Sequence, residues 1–201
     1  MEIIKIIMVI LMGYLIGSIP FALIIGKLFY NTDIRESGSG NLGGTNAART
    51  LGKTTGIIVM LLDISKAFVA ITIATLLINK FSINIDPNYV GLACVVGHCY
   101  PVFAGFKGGK GVACTAGFIL AINPILLLIA LVILIINLKV HHMMSLGVII
   151  AIVTATILSF VFPMFENTKV VLFFLTLFIT FQHRENIKRI IDGTENKIKW
   201  I

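Results

Sequence analysis

Read for hydrophobicity alone, the chain alternates long apolar runs with short polar patches. The runs fall at about 3–29, 56–78, 89–106, 112–122, 124–138, 146–162 and 169–182. A spanning helix needs ~20 consecutive apolar residues, with a range of ~17–25. The first three runs and 146–162 reach that length. Residues 112–138 are interrupted by Asn123-Pro124, a turn or kink signal. The pattern predicts an all-α, polytopic membrane helix bundle.

The number of crossings follows from parity and charge. If 112–138 crosses once, Lys and Arg divide seven against eight between the two sides. If Asn123-Pro124 is instead a turn between two short helices, one side holds Lys27, Arg35, Arg49, Lys53, Lys107, Lys110, Lys139, Arg184, Lys188, Arg189, Lys197 and Lys199. The other side then holds Lys5, Lys80 and Lys169. Twelve against three fits the tendency of basic loops to stay cytoplasmic. Joining 146–182 into one crossing scores eleven against three, but it buries Pro163, Glu166, Asn167 and Lys169 within the bilayer, which is costly. The expected arrangement is therefore about seven transmembrane helices, some short, with the N-terminus outside and the C-terminus in the cytoplasm.

Composition agrees. Of 201 residues 58% are hydrophobic and 12% charged, where a soluble domain carries about 25% charged; the mean hydropathy is +1.02. The first apolar run continues to Phe29, too long for the core of a cleaved leader, and is read as a retained helix. No low-complexity linker divides the chain, so residues 1–201 are read as one integral membrane domain. Cys94, Cys99 and Cys114 are odd in number and lack C-x-x-C spacing; they read as small apolar helix residues, not as a disulfide or zinc framework. The net charge of +7 matters through the loops that carry it, and no nucleic-acid partner is expected.

Four polar patches fall on the predicted cytoplasmic side: 37–53, 105–111, 139–145 and 183–195. Gly105-Phe-Lys-Gly-Gly-Lys-Gly111 places four glycines and two lysines just before a helix start at Val112. Backbone N–H groups, ammonium groups and a helix N-terminus together favour a phosphate. The stretch lacks the G-x-x-x-x-G-K-[ST] order of a nucleoside-triphosphate loop. In the first patch, Ser39, Asn41, Thr45 and Asn46 offer hydrogen bonds and Arg49 a planar fork for phosphate oxygens. Gly38-Ser-Gly-Asn-Leu-Gly43 also satisfies G-x-G-x-x-G, with Asp63 twenty residues on, but it lies between membrane helices and not after a strand.

Asp63 and Lys66 share a face of the second long run. They are either a mutually neutralising pair or a support for the anion site from within the helices. His98 is either a structural imidazole capping the loop or a catalytic one. His141-His142 are neighbours on a helix and diverge by about 100°, with no further ligand nearby, so no metal is expected. Ser145 is a hydrogen-bond donor or a helix N-cap. His183 and Asn186 lie three apart at the end of the last apolar run, and His183 is a group able to relay a proton.

Together these patches resemble the bacterial acyl-phosphate:glycerol-3-phosphate acyltransferase family. The matching stretches are Gly38-Ser-Gly-Asn41, Thr45-Asn46, Arg49, Asp63-x-x-Lys66, Gly97-His-x-Tyr-Pro-Val-Phe103, Gly105–Gly111 and His183-Arg-Glu-Asn186, in family order. Gly44, Ala67 and His141-His-Met-Met144 depart from the pattern. The resemblance implies a seven-helix enzyme of the bacterial inner membrane with a cytoplasmic active site. It would move a fatty acyl group from acyl phosphate to the sn-1 hydroxyl of glycerol 3-phosphate, giving lysophosphatidate and phosphate, without metal or cofactor. It also implies functional coupling to the enzyme that makes acyl phosphate.

On this reading Arg49, Lys107 and Lys110 take the phosphates. The N–H groups of Gly108, Gly109 and Gly111, with Ser39, hold the acyl-phosphate head. Ser145, His183 and Asn186 position glycerol 3-phosphate. His183 or a substrate phosphate removes the proton, and the resemblance favours the substrate.

Other classes fit less well. An anion channel would continue polar residues through the helices, and apart from Asp63 and Lys66 they are apolar. A CDP-alcohol phosphotransferase would need spaced aspartates, whereas Asp33, Asp63, Asp86 and Asp192 are scattered. Acyltransferases with an H-x4-D motif are excluded, because Phe103, Leu146, Gly147 and Lys188 stand five residues after the histidines.

Overall fold

The computed structural model describes residues 1–198. Lys199 lies outside them, as do the side chains of Glu166 and Asn167. Among the described residues all regular structure is helical. The chain forms two compact units, Met1–Ala121 and Ile122–Ile201.

In the first unit the initial apolar run is two helices, α1 (Glu2–Gly17) and α2 (Phe21–Tyr30). Pro20 has no N–H to continue the ladder, so the chain breaks there and restarts. The first polar patch contains a short helix, α3 (Gly44–Leu51). Next come α4 (Lys53–Phe81), α5 (Asn88–Cys99) and α6 (Val112–Ile122). The run 89–106 is thus helical only to Cys99. Pro101 cannot extend the helix, and a 3-10 turn over Val102–Ala104 follows.

Glycines let these backbones touch. A β-carbon on Gly17 would overlap the Cys94 carbonyl, one on Gly97 the Tyr14 carbonyl, and one on Gly117 the Ile64 carbonyl. These contacts bring α1 onto α5 and α6 onto α4, the small-residue packing of membrane helices. Ala22, Leu23, Ile34, Leu42, Ala47 and Val59 form a buried cluster beneath the first polar loop. Large apolar side chains such as Leu28, Phe29 and Leu76 stay exposed, as expected of residues that meet lipid.

The second unit holds α7 (Pro124–His141), α8 (Met144–Val161), α9 (Lys169–Gln182) and α10 (Arg184–Ile191). Asn123-Pro124 is a helix boundary: the Asn123 side chain accepts the Leu126 N–H at 3.0 Å, with proline at the first helical position. A 3-10 turn over Pro163–Thr168 divides 146–182 into two helices. The hydroxyls of Thr156 and Thr176 lie 2.6 Å apart between α8 and α9. Met143 holds the N-cap of α8, so Ser145 is the second helical residue and not the cap.

Among the described residues four helical stretches are long and apolar enough to cross a membrane: Glu2–Tyr30, Lys53–Phe81, Pro124–His141 and Met144–Val161. Val112–Ile122 and Lys169–Gln182 are shorter apolar helices.

Candidate active site

The first polar loop is built around Asn46. Its Oδ1 accepts the Ser39 N–H at 2.8 Å, and its Nδ2 donates to Ile34 O and Ser37 O at 3.2 and 3.1 Å. With 2% exposure it is an internal clasp, which corrects the expectation that Asn46 faces substrate. Asn41 Oδ1 accepts the Gly43 N–H at 3.0 Å in a local turn at the start of α3. Arg35 is engaged with Asp33 through Nε and Nη2 at 2.9 and 2.6 Å. The guanidinium beside Asp33 holds that carboxyl well below the usual carboxylate range. What this loop leaves outward is the Ser39 hydroxyl, Thr45 and, in the last turn of α3, Arg49. The Arg49 side chain makes no hydrogen bond or ion pair among the described residues and is exposed.

The central loop folds back onto the end of α5. Gly105 and Gly111 bracket it at φ 64° and 84°, a left-handed backbone that suits glycine. The Gly108 N–H donates to Cys99 O and the Gly109 N–H to His98 O, both at 3.1 Å. This corrects the expectation for two of the three amides: they hold the loop and do not face an anion. A β-carbon on Gly109 would strike the His98 imidazole, and one on Gly108 the His98 carbonyl. These glycines are there for close approach as much as for an anion nest. Lys107 is exposed and Lys110 half-buried. The Leu42 N–H donates to Gly108 O at 3.3 Å, which ties the first loop to the central one.

In the second unit the residues meet at Glu195. Its Oε1 accepts from Ser145 Oγ at 2.8 Å and from Asn186 Nδ2 at 2.7 Å, and its Oε2 from Arg189 Nε at 2.8 Å. The Ser145 hydroxyl proton is therefore engaged, and its oxygen is left as an acceptor. His183 sits between α9 and α10 with Nδ1 2.8 Å from Ile179 O. A carbonyl accepts only from N–H, so Nδ1 carries a proton and donates it to Ile179 O.

Sequence reasoning did not single out Glu195. The available signal was one acid, after Gly193, in an otherwise basic tail. Burial pushes the Glu195 carboxyl up, but hydrogen bonds from Asn186, Ser145 and Arg189 outweigh it and hold the group below its ordinary value.

Replacing Glu195 by alanine removes the common acceptor of two buried donors. We expect it to lower stability by about 2–3 kcal/mol, read as a drop in thermal midpoint in detergent, with glutamine milder. A depressed carboxylate stabilises the fold above its unfolded pKa near ~4.3 and loses that contribution as pH falls through the lower folded value. The acid side of the stability profile should therefore flatten in Glu195→Gln.

The chain is similar to known proteins over nearly its whole length. A family model described as glycerol-3-phosphate acyltransferase matches residues 7–193. A glycerol-3-phosphate acyltransferase of Listeria monocytogenes serovar 1/2a is 46% identical, covering 98% of this chain and 99% of that protein. That of Exiguobacterium sibiricum is also 46% identical, over 97% and 94%. The crystal structure of PlsY, an integral membrane glycerol 3-phosphate acyltransferase, in its glycerol 3-phosphate form superposes with a TM-score of 0.86 at 37% identity, covering 96% of this chain and 94% of that one. The lysophosphatidic acid form gives 0.85 at the same identity.

Proposed function

The chain belongs to the glycerol-3-phosphate acyltransferase family, and we propose that it draws its acyl group from acyl phosphate and releases 1-acyl-sn-glycerol 3-phosphate and inorganic phosphate. The observation that carries this reading is the junction of two glycine loops. The Leu42–Gly108 hydrogen bond ties the loop bearing Ser39 and Arg49 to the loop bearing Lys107 and Lys110. A joined pair of basic loops suits a donor whose reacting group is itself a phosphate.

The chemistry asks little covalent help of the protein. Acyl phosphate is a mixed anhydride with a good leaving group. The sn-1 hydroxyl oxygen attacks the acyl carbon, a tetrahedral oxyanion forms, and the carbon–oxygen bond to phosphate breaks. The hydroxyl proton leaves with the departing phosphate. Arg49, Lys107 and Lys110 hold phosphate oxygens, and Ser39 with the Gly111 N–H steadies the acyl-phosphate head. Ser145, His183 and Asn186 position glycerol 3-phosphate. His183 Nε2 accepts a hydrogen bond from the attacking hydroxyl, with Nδ1 anchored to Ile179. The neutral partners Asn41 and Thr45 add hydrogen bonds near Arg49.

The charge distribution supports seven crossings, with the N-terminus outside and the C-terminus and active site on the cytoplasmic face of a bacterial inner membrane. The enzyme that forms acyl phosphate is the expected functional partner.

The test is acyl transfer by the purified protein in proteoliposomes containing EDTA. Palmitoyl phosphate with labelled glycerol 3-phosphate should give labelled lysophosphatidate, and palmitoyl-CoA should not. Product from the thioester alone, or activity abolished by chelation, would overturn the donor assignment.

A further inference from the structure

Three ionisable side chains of the first unit have no part in the roles above. Asp63, Lys66 and His98 are 2%, 4% and 5% exposed. Lys66 Nζ lies 2.8 Å from Asp63 Oδ1, 2.9 Å from His98 Nδ1 and 3.1 Å from Ile19 O, a carbonyl at the break between α1 and α2 that also accepts the Phe21 N–H. An ammonium has three hydrogens to donate, and three acceptors surround this one. Asp63 Oδ1 also lies 3.4 Å from that Nδ1, so both members of the ion pair grip one edge of the imidazole.

The other ring nitrogen, Nε2, faces the central loop. A β-carbon built on Gly109 would overlap Nε2 and crowd both ring carbons beside it. The same residue holds the loop through its backbone, since His98 O accepts the Gly109 N–H at 3.1 Å. The other end of the same peptide group, Gly108 O, receives the Leu42 N–H. Ring and carbonyl of one histidine thus seat the glycine pair between the two lysines. A buried ion pair kept only for stability could be replaced by apolar residues at little cost, often with gain. This one is aimed at a loop.

We propose that Asp63 and Lys66 are positioning residues for acyl transfer. The ion pair fixes the position and plane of the His98 ring, the ring fixes Gly109, and Gly109 sets where Lys107 and Lys110 stand. The inference rests on the phosphate role given to that loop under Proposed function.

The test uses the full-length protein with the double substitution Asp63→Asn and Lys66→Met, which leaves no lone buried charge. Hydrogen–deuterium exchange without substrate reads the loop. Exchange over 105–111 should rise about tenfold or more, while α1 and α5 keep their protection. In the acyl-transfer assay kcat should fall about 10–100-fold, with KM for glycerol 3-phosphate within about twofold. Gly109→Ala, whose methyl meets the His98 ring, should loosen the same segment.

A folded double variant with parental exchange at 105–111 and parental kcat overturns the proposal. So does a double variant that fails to fold while Gly109→Ala leaves loop exchange and turnover unchanged, since the pair is then purely structural. The exchange readout needs no substrate. A parent protein that makes no product from acyl phosphate would refute the donor assignment and leave the loop measurement standing.

Discussion

Arg49→Ala should lower kcat/KM for acyl transfer by about 10²–10³-fold, the usual loss when one preorganised charge is removed from a reacting phosphoryl or acyl group. Arg49 stands exposed in the last turn of α3, and no residue among those described takes up its fork. Arg35, at the start of the same loop, is paired with Asp33 through two nitrogens. Arg35→Ala should therefore disturb the loop more than the chemistry. Arg49→Lys keeps the charge without the bidentate geometry and should recover part of the loss. The thermal midpoint of Arg49→Ala should stay near that of the parent. Steady-state kinetics in proteoliposomes decide the matter, and turnover within about threefold of the parent would remove Arg49 from the site.

His183→Ala should lower kcat about 100-fold, through lost orientation of the attacking hydroxyl. The informative variant is His183→Gln. A glutamine oxygen can accept a hydrogen bond from the hydroxyl but cannot carry its proton away. Recovery of a tenth or so of parental kcat would fit a phosphate that takes the proton while the side chain only orients. A glutamine variant as slow as alanine would assign proton removal to His183.

Much of the helical plan was legible because the chain obeys one strong rule, that bilayer segments are long and apolar. Helix ends were harder to see. Pro20 and Pro101 lie inside continuous hydrophobic runs, so hydropathy passes over them while the missing N–H stops the ladder. Helix α3 escaped notice for the opposite reason: Gly44-Thr-Asn-Ala-Ala-Arg-Thr-Leu51 has little apolar character, and its packing on α4, not its propensity, makes it a helix.

In the site, residue type revealed the chemistry and hid the division of labour. Asn46 and the amides of Gly108 and Gly109 are polar groups in a polar loop, and only geometry shows that they bind the loop to itself. His98 was ambiguous between two roles until the Lys66 and Gly109 contacts placed it as a strut. Glu195 was invisible as a hub, because the donors it gathers come from positions as distant as Ser145.

The lengths of α5 and α6 carry a further consequence, for the membrane. At ~1.5 Å per residue their 12 and 11 residues rise only ~18 and ~16 Å, against a hydrocarbon core ~30 Å thick. Neither matches that slab alone, and in the proposed seven-crossing arrangement the mismatch is met by a locally thinner leaflet or by other apolar protein at the same depth. A thinned leaflet would draw lipid headgroups inward along the helices that flank the Gly105–Gly111 loop. The acyl-phosphate donor proposed above would then arrive already at the height of the lysines proposed to hold it, and bilayer thickness would become a variable of catalysis.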